Sequence, residues 1–283
     1  MKNVKIIKVS STHEGLRLDK FLLKHISDLS YSAIQKKIRL GKFKVNNIRK
    51  EPNYKVSNGD KITTKENLIY IEKLKKRLSL PARLITNIKN SVLYEDKFII
   101  VLNKPYGIPV QGGTKISFSI DDTLSYLSSK QKTLRLTHRI DKNTTGTLII
   151  AKSKEVAKNI ATLFKEDKIE KLYWAVVIGA PKPISGFIDL PISKISHNGK
   201  EKMHISKNYE KKSKTYYETL ETNNNFSLLE VSPKTGRTHQ IRVHLLSKNC
   251  PILGDNKYKG CEKNSYNNAN DMHLHAKSIS FNL

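Results

Sequence analysis

The sequence predicts an α+β protein in two parts, a small basic domain followed by a larger one built on a β-sheet. Three observations lead there. Near the N-terminus apolar residues recur at helical spacing and are followed by two turn signals. Beyond Val92 the pattern changes to short apolar strands alternating with amphipathic helices. Over the whole 283 residues, 52 Lys and Arg stand against 25 Asp and Glu, a net charge of +27. Neutralising phosphates releases counterions, so a surplus of this size points to a polyanion, with nucleic acid the leading partner.

Composition also narrows the class. Cys250 and Cys261 are the only cysteines, too few for a disulfide framework, and they fit a reduced cytoplasm. No apolar run approaches the roughly 20 residues that span a bilayer, and MKNVKIIKVSS lacks the apolar segment of a signal peptide. The expectation is a cytoplasmic protein with no membrane partner.

Residues 1–63 are predicted to fold by themselves. Leu18, Phe21 and Leu22, then Ile34, Ile38 and Leu40 after Ser30, mark two short helices that Gly41 brings to a stop. A hairpin follows, turning at Asn46-Asn47, with a second turn at Asn58-Gly59. Lys36, Lys37, Arg39, Lys42 and Lys44 cluster where the second helix meets the hairpin. A charged helix face is ordinarily a solvated one. GLRLDKFL, IRLGKFKVN and NGDKI, however, resemble the alpha-L RNA-binding module of ribosomal small-subunit protein four, and that resemblance makes these five residues candidate RNA contacts. Residues 64–91 have mixed periodicity and a proline at position 81, and are expected to be linker.

Residues 92–283 form the larger domain. Phe98 to Leu102 reads as a buried strand opening into the turn Asn103-Lys104-Pro105-Tyr106-Gly107. In LRLTHRIDKNTTGTLIIAK, residues 134–152, two apolar strands flank a polar turn from His138 to Gly146. Arg139 and Asp141 sit two apart in that turn, and loops held between rigid flanks are where chemistry is usually placed. Ser153 is a plausible N-cap for a helix whose apolar face carries Val156, Ile160, Leu163 and Phe164. In KLYWAVVIG, Leu172, Trp174, Val176 and Ile178 share one strand face, so Tyr173 is expected to point away from the heavily apolar side. In SPKTGRTHQIRVHLL, residues 232–246, Thr238 is the expected N-cap, Arg237 lies in the loop and Arg242 falls inside the helix, where it needs an anionic partner. The histidines 138, 239, 244, 273 and 275 match no zinc spacing, so no metal site is expected.

HRIDKNTTG resembles the HRLDxxTSG signature of the RluA family of pseudouridine synthases, with Ile140 for Leu and Thr145 for Ser. LNKPYG, the KLYWAVVIG strand, an unchanged GRTHQIRVHL, PILGDNKY and MHLHAKSISF resemble the family's other landmarks. The resemblance implies a mixed, largely antiparallel sheet and an isomerase that converts uridine to pseudouridine in structured RNA with no cofactor. VQGGTKISF is similar to the branch that acts on large-subunit ribosomal RNA. By the same resemblance Asp141 is the nucleophile, Arg242 its partner, Tyr173 the group that handles the proton of carbon five, and Leu274 packs beneath the base. Arg139 occupies the space the flipped uridine leaves, and Lys104, His138, Arg237 and Gln240 are further candidate substrate contacts. A monomer is expected. Family members usually continue past SISF, whereas this sequence stops at Leu283, with a cost expected in stability rather than catalysis.

Three other readings compete. A transfer RNA synthase of the same family would carry the same motifs. A non-catalytic assembly factor would have lost Asp141, Tyr173 or Arg242, and all three are present. Hydrolysis at a nucleoside bond usually requires a second carboxylate, which no motif here offers.

Overall fold

The computed structural model describes residues 5–26, 29–65, 80–112, 116–128, 134–197, 200–206, 212–259 and 271–282. Cys261 lies outside them. The chain divides into two compact units, Met1–Ser79 and Leu80–Leu283.

In the first unit, β1 (Lys5–Lys8), α1 (Leu18–His25), α2 (Tyr31–Arg39), β2 (Phe43–Val45) and β3 (Lys61–Thr64) follow one another. The strands form an antiparallel sheet in the order β1-β3-β2. Leu18, Phe21, Leu22, Ile34 and Ile38 are fully buried against Phe43, Val45 and Ile62, as the helical spacing predicts. Ser30 caps α2 by accepting a hydrogen bond from the Ala33 N–H. Asn46 and Asn47 both take positive φ, the conformation a two-residue hairpin turn demands. Leu40 departs from expectation: it follows the last turn of α2 and is 60% exposed.

The second unit contains α3 (Ala82–Asn90), β4 (Val92–Glu95), β5 (Ile99–Lys104), α4 (Ile120–Leu127), β6 (Arg135–Leu136), β7 (Thr145–Ala151), α5 (Lys154–Lys165) and β8 (Glu170–Ile178). It continues with β9 (Ser185–Asp189), β10 (Ile192–His197), β11 (Lys200–Ile205), β12 (Lys214–Thr222), β13 (Phe226–Pro233), α6 (Gln240–Ser247) and β14 (Leu274–Ser280). Nine strands make one sheet in the order β4-β5-β7-β14-β8-β13-β12-β9, with β6 on β7. Every pairing in it is antiparallel except β7 with β14, so the sheet is mixed and largely antiparallel. β10 and β11 form a separate hairpin, which packs on α6 through Ile192, Val243 and Tyr258.

Two expectations are corrected here. Residues 82–90 are helix rather than linker. Pro81 starts the helix instead of interrupting it, and Leu84 and Ile88, one turn apart, bury against Ile100 and Leu102. On β8 the buried face is the one carrying Tyr173, Ala175 and Val177, while Trp174 on the other face is 37% exposed. α6 packs on the Ala175 side, and small residues let a helix approach where the bulkier row would hold it off.

The parallel pair depends on Gly146. A Cβ there would stand 2.2 Å from the Ala276 carbonyl oxygen, and φ is +103°, so only glycine lets β14 lie this close to β7.

Candidate active site

The loop between β6 and β7 carries Asp141, and both of its ends are fixed. Thr137 Oγ1 donates to the Ile149 carbonyl at 2.8 Å, and the Thr144 N–H closes a turn on the Asp141 carbonyl at 3.1 Å. Ile140 points into the core, which turns its neighbours Arg139 and Asp141 outward. His138 Nε2 accepts the Ile149 N–H at 3.0 Å and its ring stacks on Phe164. Burial, and secondarily the Lys171 charge, push the His138 pKa down to about 3, so it is a neutral acceptor. It lines the cleft but is partly committed to holding the loop.

Arg242 comes from α6. The helix begins after His239, not Thr238, and His239 caps it in a left-handed conformation with φ +55°. The Gln240 carboxamide is fully engaged within the protein. It accepts from Thr235 Oγ1 and the Arg237 N–H and donates to the Lys214 carbonyl and Thr215 Oγ1. A substrate contact for Gln240 does not fit this arrangement; it shapes the loop that presents Arg237 to the cleft.

Arg242 NH1 donates to Asp141 Oδ2 at 3.0 Å. The other side of its guanidinium is held by a residue that sequence reasoning missed. Asp255 accepts from Arg242 Nε at 2.7 Å and NH2 at 2.8 Å, and also from the Lys257 and Tyr258 backbone N–H groups. Burial pushes the Asp255 carboxyl up, but the Arg242 hydrogen bonds and charge outweigh it and hold it low. Gly254 sets the turn: its φ is +75° and a Cβ would meet the Asp271 carbonyl oxygen at 1.9 Å. A Gly-Asp pair in a tight turn beyond a buried arginine was the available signal.

Tyr173 faces the same cleft from β8, and Leu274 from the start of β14. The cleft holds about 310 Å3 and is also lined by Arg139, Arg237, His239 and Lys171. Burial, then the nearby Asp141 charge, push the Tyr173 hydroxyl up to about 12, so it is a neutral phenol at physiological pH. His239 Nε2 lies 3.6 Å from Asp141 Oδ2. Burial depresses the His239 pKa despite Asp141, so the ring is neutral and the pair is not an ion pair.

Lys104 is not in the cleft wall. It is fully buried, and its ammonium donates to the Pro105, Ile108 and Lys142 carbonyls at 2.8, 2.9 and 3.0 Å. With all three donors used, a substrate contact does not fit; it ties the 105–108 turn to the Asp141 loop. Burial lowers its pKa to about 8, against the Asp141 charge. In the first unit, Lys36, Arg39, Lys42 and Lys44 are exposed and Lys37 is half-buried, from the end of α2 into β2. Among the described residues no group of His, Cys, Asp and Glu is arranged to hold a metal ion, and no helix is long and apolar enough to cross a membrane.

A mixed sheet with a carboxylate and a clamped arginine meeting in one cleft defines a class, and a sequence model described as RNA pseudouridylate synthase matches residues 98–247. The chain belongs to this family, in its RluA branch, and is an RNA pseudouridine synthase, an isomerase. It is 36% identical over 280 residues to the ribosomal large subunit pseudouridine synthase C of Buchnera aphidicola subsp. Baizongia pistaciae, covering 97% of this chain and 88% of that one. To the protein of the same description from Rickettsia typhi it is 35% identical, covering 93% and 88%. Among solved structures it resembles human RNA pseudouridylate synthase domain containing 4, with a TM-score of 0.60 and 32% identity over 70% of this chain and 87% of that one.

Proposed function

We propose that this enzyme isomerises uridines in large-subunit ribosomal RNA with Asp141 as nucleophile and without a cofactor. The observation that carries the reading is the 3.0 Å hydrogen bond from Arg242 NH1 to Asp141 Oδ2, made by an arginine whose remaining face is locked by Asp255. Relatives described as ribosomal large subunit pseudouridine synthases match nearly the full chain, which favours ribosomal over transfer RNA.

The reaction breaks the bond from the ribose anomeric carbon to N1 of uracil, turns the base over and forms the bond to C5. The C5 proton is lost and N1 gains one, so atoms and oxidation state balance and no external reagent is needed. Asp141 supplies the carboxylate that takes part covalently, and Arg242 holds it in place through the hydrogen bond to Oδ2. Tyr173, a neutral phenol, takes the C5 proton as it passes its own on, acting as a relay rather than a standing base. Leu274 offers the apolar floor for the base, and exposed Arg139 fills the gap left in the RNA, offsetting a flipping cost of a few kcal/mol. Arg237 and His138 line the route in.

Lys36, Lys37, Arg39, Lys42 and Lys44 grip phosphates through residues 1–63, an alpha-L-type RNA-binding domain. All the reacting groups come from one chain, so a monomer in the cytoplasm suffices. Mapping pseudouridines in total RNA from cells with and without the protein tests the substrate: loss of specific sites in large-subunit RNA supports it, and loss only in transfer RNA overturns it. Deleting residues 1–63 should flatten the salt dependence of RNA binding by roughly one unit of slope per lost contact, while single-turnover rates at saturating RNA persist. An unchanged slope would remove the grip assigned to this domain.

A further inference from the structure

Tyr258 has no part in the chemistry above, yet it is fully buried beside Arg242 and His239, the two side chains that face Asp141 Oδ2. Its ring lies 4.8 Å from the Arg242 guanidinium carbon and 5.3 Å from Lys202 Nζ, and meets the His239 ring edge-on at 5.4 Å. Its hydroxyl oxygen accepts the Met203 N–H of β11 at 3.0 Å and stands 2.7 Å from His239 Nδ1.

These distances favour one placement of the protons. The oxygen is an acceptor toward Met203, and its own proton needs an acceptor; His239 Nδ1 is the one within reach among the described residues. Were Nδ1 protonated, two donors would converge on one oxygen and the tyrosine proton would have no partner. Nδ1 is therefore bare, and the proton of the neutral imidazole sits on Nε2, facing Asp141 Oδ2 at 3.6 Å. That gap exceeds a hydrogen bond and closes with a shift of about half an ångström. Oδ2 already takes Arg242 NH1, whereas Oδ1 takes no hydrogen bond among the described residues.

We propose that Tyr258 and His239 are positioning residues that act on Asp141: Tyr258 fixes His239 as its Nε2–H tautomer, and that N–H closes on Oδ2 beside Arg242 when RNA fills the cleft, leaving Oδ1 as the reacting oxygen. This rests on the reading of Asp141 as nucleophile. Because Met203 belongs to the β10–β11 hairpin, the hairpin holds the tyrosine hydroxyl in register with the cleft.

The test uses the full chain. Nitrogen-15 NMR of histidine-labelled protein reports which ring nitrogen carries the proton, and wild type should show Nε2–H at His239, with Tyr258→Phe giving a tautomer mixture. Tyr258→Phe keeps the ring against Arg242, so RNA affinity should hold within about two-fold while the single-turnover rate at saturating RNA falls about ten-fold, the worth of one hydrogen bond to a charged group. His239→Asn preserves the left-handed backbone, which asparagine tolerates, and should lose a similar factor. The double variant should be no slower than His239→Asn alone, because both changes remove one device. An Nδ1–H tautomer in wild type, or losses that multiply in the double variant, would overturn the proposal and leave Tyr258 a packing residue. Full activity in Asp141→Asn would instead overturn the nucleophile reading, without altering the tautomer result.

Discussion

Two loops meet on the guanidinium of Arg242 and treat their carboxylates in opposite ways. In the 251–259 loop, Asp255 is 1% exposed and accepts four hydrogen bonds, two from Arg242 and two from backbone N–H groups. In the 137–144 loop, Asp141 is 22% exposed and, among the described residues, accepts one, from the same arginine. A saturated carboxylate is a fixture; one with an unbonded oxygen in an open cleft is a reagent. Both carboxylates bond the same Arg242 guanidinium, so the choice of partner alone does not separate them. The number of committed lone pairs does.

The comparison is broken most directly at its reactive side. Asp141→Asn preserves size and should cut turnover at least about 10³-fold while leaving RNA affinity nearly unchanged. A variant that still turns over at the wild-type rate would place Asp141 among the fixtures. Tyr173→Phe keeps a buried ring and removes the proton relay, with a loss of about 10² to 10⁴ in the single-turnover rate and little change in melting temperature. If the rate holds, Tyr173 is there only for packing.

On the anchoring side the expected signature is different. Asp255→Asn should cost about 2–3 kcal/mol of stability, because Arg242 loses a buried ionic partner, and should slow the reaction about 10²-fold by letting the guanidinium drift. Chemical denaturation and single-turnover kinetics on one preparation separate the two effects; loss of rate without loss of stability would make Asp255 part of the chemistry.

A third carboxylate sharpens the contrast. Asp19 in the first unit is fully buried, and burial pushes its pKa up, but hydrogen bonds from Arg17, Gln35 and Tyr31 outweigh that and hold it at about 2. The folded value lies below the ordinary carboxyl value of 3.8, so its contribution is complete above that pH and is lost as pH falls towards about 2. Acid titration of the first unit's unfolding, compared with Asp19→Asn, should show this slope only in the unsubstituted protein. An acid limb identical in both would mean that Asp19 does not share the anchoring role of Asp255.

What the sequence revealed followed the motif words and the periodicity. Asp141, Arg242, Tyr173 and Leu274 do line one cleft, and the helices at 18–25, 31–39 and 154–165 fall where apolar spacing and Ser30 and Ser153 placed them. The misses share a cause: the outcome depended on a partner distant in the chain. The face of β8 was assigned by bulk, but α6 chose the side with Ala175. The family resemblance made Lys104 a candidate substrate contact, whereas three carbonyls, one of them from Lys142, draw it fully inside. The Gly-Asp turn that signals Asp255 carries weight only once Arg242 is seen to need a second anion, and residues 82–90 passed for linker because Pro81 suggested a break.

The position of β14 bears on how the molecule is made. It is the last strand in the chain, yet it lies in the middle of the sheet, between β7 and β8. During synthesis β7 and β8 therefore emerge with open edges facing a gap, and the loop bearing Asp141 and the strand bearing Tyr173 belong to two half-sheets with no ladder between them. Closure waits for a segment about 130 residues downstream of Gly146, joined to it by the close contact with Ala276. Pairing of β14 with both neighbours thus brings the loop bearing Asp141 and the strand bearing Tyr173 into one sheet.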